Sequence, residues 1–146
     1  MLFRSYVPNA DHSLRNTDAL PSMVAFFQTV IQDKPRPRFD WRLENDGAIR
    51  VTAKDAPTEV KLWHATNDKA RDFRLMTIGP AWKSASLAGS NGVYVGKVAT
   101  PAAGWTAFFV ELTYPGPGKF PLKFTTQVRV IPDKYPFPTP DLKKPE

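Results

Sequence analysis

Along the chain the spacing of apolar residues changes once, near residue 38, from a helical repeat to strict alternation. Before the change, residues 2–7 (LFRSYV) are β-prone and predict a short strand that Pro8 and Asn9 end. A polar loop follows. Thr17 or Asp18 can then cap a helix that carries Pro21 in its first turn, where a missing N–H costs nothing. Leu20, Val24, Phe27 and Ile31 recur at helical spacing and predict one apolar face over 18–32. Asp33 and the KPRPR run (34–38) close the helix and act as a linker.

After residue 38 the period is 2. Phe39, Trp41 and Leu43 alternate with charged residues, and ENDG (44–47) carries an Asp-Gly hairpin signal. Further strands are predicted over 49–53, 58–66, 73–78 (FRLMTI) and 93–98, with GSNG (89–92) as a turn. Residues 104–114 and 120–130 predict a long hairpin across PGPG (115–118), in which Leu122, Phe124, Thr126, Val128 and Val130 share one face. Trp63 is placed on the face of its strand opposite to Val60, Leu62 and His64. The pattern is mainly β: about seven short strands with regular turns, as in an antiparallel β-sandwich of the immunoglobulin or fibronectin type, preceded by a short strand–helix lead-in. The organisation is a strand–loop–helix lead-in (1–33), a linker (34–38), a sandwich (39–131) and a Pro/Lys-rich tail (132–146) that is expected to be loosely ordered.

Bulk properties narrow the function classes. A chain of 146 residues is the usual size of one domain, and 15 prolines with 12% aromatics suit pro-marked β loops better than a helical bundle. The net charge of +6 is scattered, without the clustered footprint of a nucleic-acid surface, so no nucleic-acid partner is expected. The absence of cysteine removes disulfides, thiolate metal sites and a Cys nucleophile. No stretch is long and apolar enough for a membrane span, and residues 1–13 do not read as a signal peptide.

Chemistry is thinly represented. The two histidines, His12 and His64, make a poor ligand set, so neither a metal nor another cofactor is expected. His64 lies in line with Val60 and Leu62 and reads as a half-buried structural residue. His12 lies between a predicted strand and a capped helix, where backbone fixes it on both sides while its ring can point into a cleft, as a general base requires. No nucleophile motif accompanies it: G-x-S-x-G, G-x-x-x-x-G-K-[ST] and G-x-G-x-x-G are all absent. A freestanding module that binds carbohydrate or protein through exposed Trp82, Trp105 or Phe109 is the alternative, set against core packing for the same rings.

The segments YVPNADHSL (6–14), FDW (39–41), VKLWHATNDKARDFRL (60–75), IGPAW (78–82), GWTAFFVELTYP (104–115) and KFTTQVRVIPD (123–133) carry a resemblance. In that order they resemble the C-terminal part of the PhoPQ-activated pathogenicity-related protein family. The resemblance implies a secreted or periplasmic α/β-hydrolase-like protein, peptidase-like in some relatives, with a catalytic domain followed by a β-sandwich. It implies that His12 is the catalytic histidine and that residues 2–7 and 18–32 are the last strand and last helix of the hydrolase sheet. The serine and the acid would lie upstream. With no position for either, this chain is not expected to be active alone. Its implied partner is the upstream hydrolase domain, or a second copy through the lead-in strand, unless the lead-in folds back on the sandwich.

Overall fold

A computed structural model describes residues 4–137. Two antiparallel sheets dominate it. One has the order β1-β2-β6-β5; the other has the order β4-β3-β7-β8, with β9 also paired to β7. The strands are β1 (Phe39–Leu43), β2 (Ile49–Ala53), β3 (Glu59–Asn67), β4 (Lys83–Ser86), β5 (Gly89–Ser90), β6 (Val93–Gly96), β7 (Trp105–Tyr114), β8 (Leu122–Thr125) and β9 (Arg129–Ile131). The helices are α1 (Ala19–Ile31) and the single turn α2 (Leu75–Ile78).

The inner faces meet over Phe39, Ile49, Val51, Val60, Phe108, Val110, Leu112, Tyr114, Leu122 and Phe124, all buried. Central strand β7 is buried at almost every position. Its pairing with β3 runs from Glu59↔Thr113 to Asn67↔Trp105. The odd positions of β7 have their own cover: Phe109 stacks on Trp63 at 6.4 Å between centroids and meets Trp82 at 5.4 Å and Tyr6 at 5.7 Å. Aromatic contacts of this kind add to the area that they bury. The turn residues act as their types require: Asn91 and Gly92 hold φ values of 50° and 74° between β5 and β6, the pair of left-handed positions of a two-residue hairpin.

Helix α1 closes the edge of the sandwich beside β8. Phe26 meets Phe124 edge-on at 6.3 Å, and Ala25 is fully buried. The free backbone of β8 is satisfied without a further strand. The Lys123 N–H donates to Ser22 Oγ at 3.1 Å, and the Thr125 N–H donates to the Arg4 carbonyl at 2.9 Å. An open sheet edge is thereby covered. The lead-in therefore folds back on the sandwich, which is one of the two outcomes expected of it.

Four expectations are corrected. Residues 4–7 carry no strand; they meet Thr125 only through the Arg4 carbonyl and the Tyr6 N–H, while residues 2 and 3 lie outside the described residues. The face of Leu20, Phe27 and Ile31 points outward, at 65%, 62% and 62% exposure; Ala19, Ser22, Ala25 and Thr29 face inward. Small residues let the helix axis approach β8 closely, and they win over the bulkier stripe. No strand forms over 73–78; residues 75–78 make α2 instead, because Asp72 accepts hydrogen bonds from the Arg74 N–H (3.1 Å) and Thr77 Oγ1 (2.8 Å) and so rewards a turn. The last strand breaks into β8 and β9. Thr126 is fully buried between them, its Oγ1 accepting from the Val110 N–H at 3.0 Å and donating to the Gln127 carbonyl at 3.0 Å. The start of the tail is tied down, with the Trp105 indole N–H donating to the Lys134 carbonyl at 2.9 Å; residues 138–146 lie outside the described residues.

Candidate functional site

The loop from Pro8 to Asp18 is shaped by short-range bonds. Asn9, Leu14 and Asn16 all hold positive φ values, of 54°, 53° and 57°. Such backbone costs free energy in non-glycine residues and persists only where the surroundings impose it. At the start of the loop, Asn9 Nδ2 donates to the Trp82 carbonyl at 2.9 Å, and the Trp82 N–H donates to Asn9 Oδ1 at 3.0 Å. This side chain copies a strand's bonding pattern across a sequence separation of 73. At the apex, Asp11 Oδ1 accepts from the Ser13 N–H (2.8 Å) and Ser13 Oγ (2.6 Å). Those bonds hold the Asp11 carboxyl below its ordinary range. At the end, Thr17 Oγ1 donates to the Leu14 carbonyl at 2.7 Å and accepts from the Ala19 N–H at 3.3 Å. Asp18 holds the N-cap position, but its side chain makes no cap bond; the oxygen that accepts from the first helical N–H belongs to Thr17, one residue earlier.

His12 sits at the apex between Asp11 and Ser13, exposed, and its ring has no hydrogen-bond partner among the described residues. The frame around it is fixed while the ring is free. The segments that carried the resemblance meet here. Asn67 Nδ2 donates to the Asp72 carbonyl at 2.8 Å, and Asn67 Oδ1 accepts from the Lys69 and Ala70 N–H groups at 3.0 and 3.2 Å. That loop delivers Phe73 and Trp82, whose rings lie 6.3 Å apart, and Trp82 receives Asn9.

The other residues singled out from the sequence lie apart from His12 in role. His64 is half-buried in β3, in register with Phe108 and Lys83. Trp82 packs on Phe109 and donates its indole N–H to the Phe73 carbonyl at 3.2 Å. Trp105 is half-buried, and Phe109 is buried. Among the described residues no group of three or more His, Asp or Glu could hold a metal, and no helix is long and apolar enough to cross a membrane.

Sequence reasoning missed a charged chain that anchors the end of the loop. Glu111, 4% exposed, stands in the middle of β7. Lys123 Nζ lies 3.5 Å from Glu111 Oε1 and is also paired with the Asp18 carboxylate at the start of α1. Burial raises the Glu111 pKa, and the Lys123 ammonium opposes that rise. A glutamate inside FFVELTY was the available signal, since a buried carboxylate calls for a cation. Beside this chain runs a groove of about 430 Å³ between residues 4–7, Leu14, α1 and β8.

The chain is 34% identical, over 90% of its own length, to the autocrine proliferation repressor protein A of Dictyostelium discoideum. It spans about a third of that relative, 32% of its length. No solved structure matches it. Residues 3–74, about half of the chain, hold the His12 loop, α1 and strands β1 to β3; they match the model of the PhoPQ-activated pathogenicity-related protein, and that match assigns this part of the chain to the family.

Proposed function

We propose that the chain is the C-terminal accessory β-sandwich of a serine-hydrolase-like protein and that His12 supplies the general base of a site completed by an upstream hydrolase domain. The observation that carries this reading is the contrast at the loop apex: an exposed imidazole without a hydrogen-bond partner among the described residues, held between bonds that fix the backbone on either side. A general base needs a fixed frame and a free nitrogen. A base without a nucleophile is not an enzyme, so the chain alone is inactive. Placement outside the cytoplasm, periplasmic or secreted, belongs to the same proposal.

A serine-directed fluorophosphonate tests it. This chain alone is expected to stay unlabelled, and specific labelling at one of its serines overturns the reading. In a longer protein that joins the chain to a strand–G-x-S-x-G–helix unit, labelling is expected, and His12→Ala is expected to slow it by on the order of 10⁴-fold. An unchanged rate removes His12 from the mechanism.

A further inference from the structure

Cations that lie scattered along the chain are gathered by the fold around the β1–β2 hairpin. Arg42 and Arg50 stand directly opposite each other across β1 and β2, and Val95 of β6 is next in the same row. This row points out of the four-stranded sheet, since Ile49 and Val51, the neighbours of Arg50 in β2, are buried between the sheets. With Glu44 and Asp46 of the turn it lines a hollow of about 400 Å³, within the roughly 300–1,000 Å³ of small-molecule pockets. The lead-in packs on the other sheet, with Tyr6 on Phe109 and Asn9 on Trp82, so this face lies across the sandwich from it.

Two like charges opposite one another weaken a sheet, and a sheet built only for stability would set a carboxylate against one of them. Here one carboxylate serves both. Glu44 Oε1 accepts from Arg42 Nε at 3.1 Å and from Arg50 Nε at 2.5 Å. These bonds, that from Arg50 first, hold the Glu44 carboxyl below its ordinary range. Nε is the only nitrogen that either guanidinium commits among the described residues, so both Nη edges are left for a ligand. The remaining charges do not restore the balance. Lys97 Nζ is matched by Asp46 at 2.8 Å, but Arg129 Nη1 donates to the Glu44 and Ala48 carbonyls at 2.8 and 3.3 Å, which carry no net charge. Arg42, Arg50, Lys97 and Arg129 against Glu44 and Asp46 leave a surplus of two positive charges. Asp40, on the same face of β1, lies outside the lining and pairs with none of the four among the described residues.

We propose that this hollow binds a phosphate monoester, with the phosphoryl dianion on the Nη edges of Arg42 and Arg50 and the organic part over Val95. A guanidinium edge matches a pair of phosphoryl oxygens, and two edges side by side match a group that has three. A dianion also cancels the surplus of charge, whereas a carboxylate or a phosphodiester cancels half of it. Val95, 40% exposed, gives a short carbon skeleton an apolar surface to cover. The proposal is independent of the reading of His12.

Glycerol 3-phosphate is the probe, titrated into the full chain near pH 7.5 at constant ionic strength, by calorimetry and by amide and arginine NMR. Saturable binding is expected, with shifts over residues 42–50 and 93–97 and at the Nε–H signals of Arg42 and Arg50. Lowering the pH to about 5 turns most of the probe into the monoanion and is expected to weaken binding about tenfold. The four cations keep their charge over that range, and Glu44 and Asp46, both held low by their partners, stay ionised. Dimethyl phosphate, a monoanion throughout, is expected to bind about tenfold more weakly than the ester near pH 7.5 and to show no pH dependence. Arg42→Gln and Arg50→Gln are each expected to weaken the ester by about tenfold or more, and Lys34→Gln, beyond the end of α1, to leave it unchanged. The Arg42 side chain is 71% exposed against 38% for Arg50, so its variant tests the site even where Arg50→Gln disturbs the fold. No saturable binding overturns the proposal. Shifts elsewhere, indifference to pH, or equal losses in Lys34→Gln and Arg42→Gln do so too. Inorganic phosphate that binds as tightly as the ester overturns the ester assignment. Vesicles of phosphatidic acid in phosphatidylcholine separate the two sources of this chemistry: co-sedimentation that glycerol 3-phosphate competes away assigns a lipid headgroup, and its absence assigns a soluble ester. None of these readouts involves His12, and fluorophosphonate labelling does not involve Arg42 or Arg50, so the two ideas fail separately.

Discussion

A carboxylate in the middle of a buried strand sets a problem that one lysine answers. Glu111 has Lys123 at 3.5 Å, and Lys123 in turn holds Asp18. Removing the cation leaves a buried charge uncompensated, so Lys123→Met is expected to cost about 3 kcal/mol in urea unfolding. A cost under about 1 kcal/mol would show that Glu111 is neutral in the fold or reached by water. Because burial raises the Glu111 pKa, the folded chain keeps that proton to higher pH than the unfolded chain does. The stability tied to this group is full below the ordinary carboxyl range and is lost as pH rises through the folded value. Glu111→Gln is therefore expected to bring the urea midpoints at pH 5 and pH 8 closer together, and an unchanged gap contradicts the assignment. Asp55 has the opposite sign. Bonds from the Arg38 guanidinium and N–H hold its carboxyl down at about 2, so its contribution is present above the ordinary range and lost as pH falls through about 2. None of these residue-level facts was read from the sequence, although the glutamate inside FFVELTY was there to be noticed. Its partner sits 12 residues on in β8, and only the β7–β8 pairing brings the two together.

At the scale of elements, the strands with clear alternation were legible: β1, β2, β3, β6 and the first half of the last hairpin stand where period 2 places them. Helix α1 was legible in extent but not in orientation. Its sequence, ALPSMVAFFQTVI, is apolar nearly all round, so periodicity alone does not choose a face. Close approach to β8 chooses the small one. Two substitutions check this. Ala25→Leu, at a fully buried position, is expected to cost about 1–3 kcal/mol through overpacking, while Phe27→Glu stays within about 0.5 kcal/mol. The reverse order in thermal melts would turn the helix over. The segment 73–78 was misread because a strand pattern says nothing about Asp72, whose carboxylate is taken up by Arg74 and Thr77. Between β8 and β9, Thr126→Val leaves the buried Val110 N–H without its acceptor and is expected to cost about 1–3 kcal/mol by denaturant unfolding. A smaller loss would mean that the backbone closes the gap left between β8 and β9.

On the scale of the whole molecule, the strand expected ahead of His12 is absent from residues 4–7, but the polar loop that carries it and the helix start after it were legible from local order alone. The clamp that fixes its loop was not, since Asn9 and Trp82 are 73 residues apart and neither residue type announces the other. Asn9→Ala is expected to cost about 1–2 kcal/mol and to speed amide exchange at Trp82. Unchanged exchange there would mean that the loop is held by its own turns. The β-rich two-layer architecture followed from strand count and turns. The role of the lead-in in completing it did not, because edge closure depends on which hydroxyl and which carbonyl reach β8.

That closure determines what can be exchanged between relatives. Ser22 and Arg4 supply the acceptors that a neighbouring strand would otherwise provide to Lys123 and Thr125. A gene fusion cut at the linker, before Phe39, would separate the sandwich from its seal and hand the next protein a bare strand ready to pair with its own kind. Recombination that leaves a soluble product has to cut ahead of Arg4, so that the histidine loop is inherited with the sandwich as one cassette.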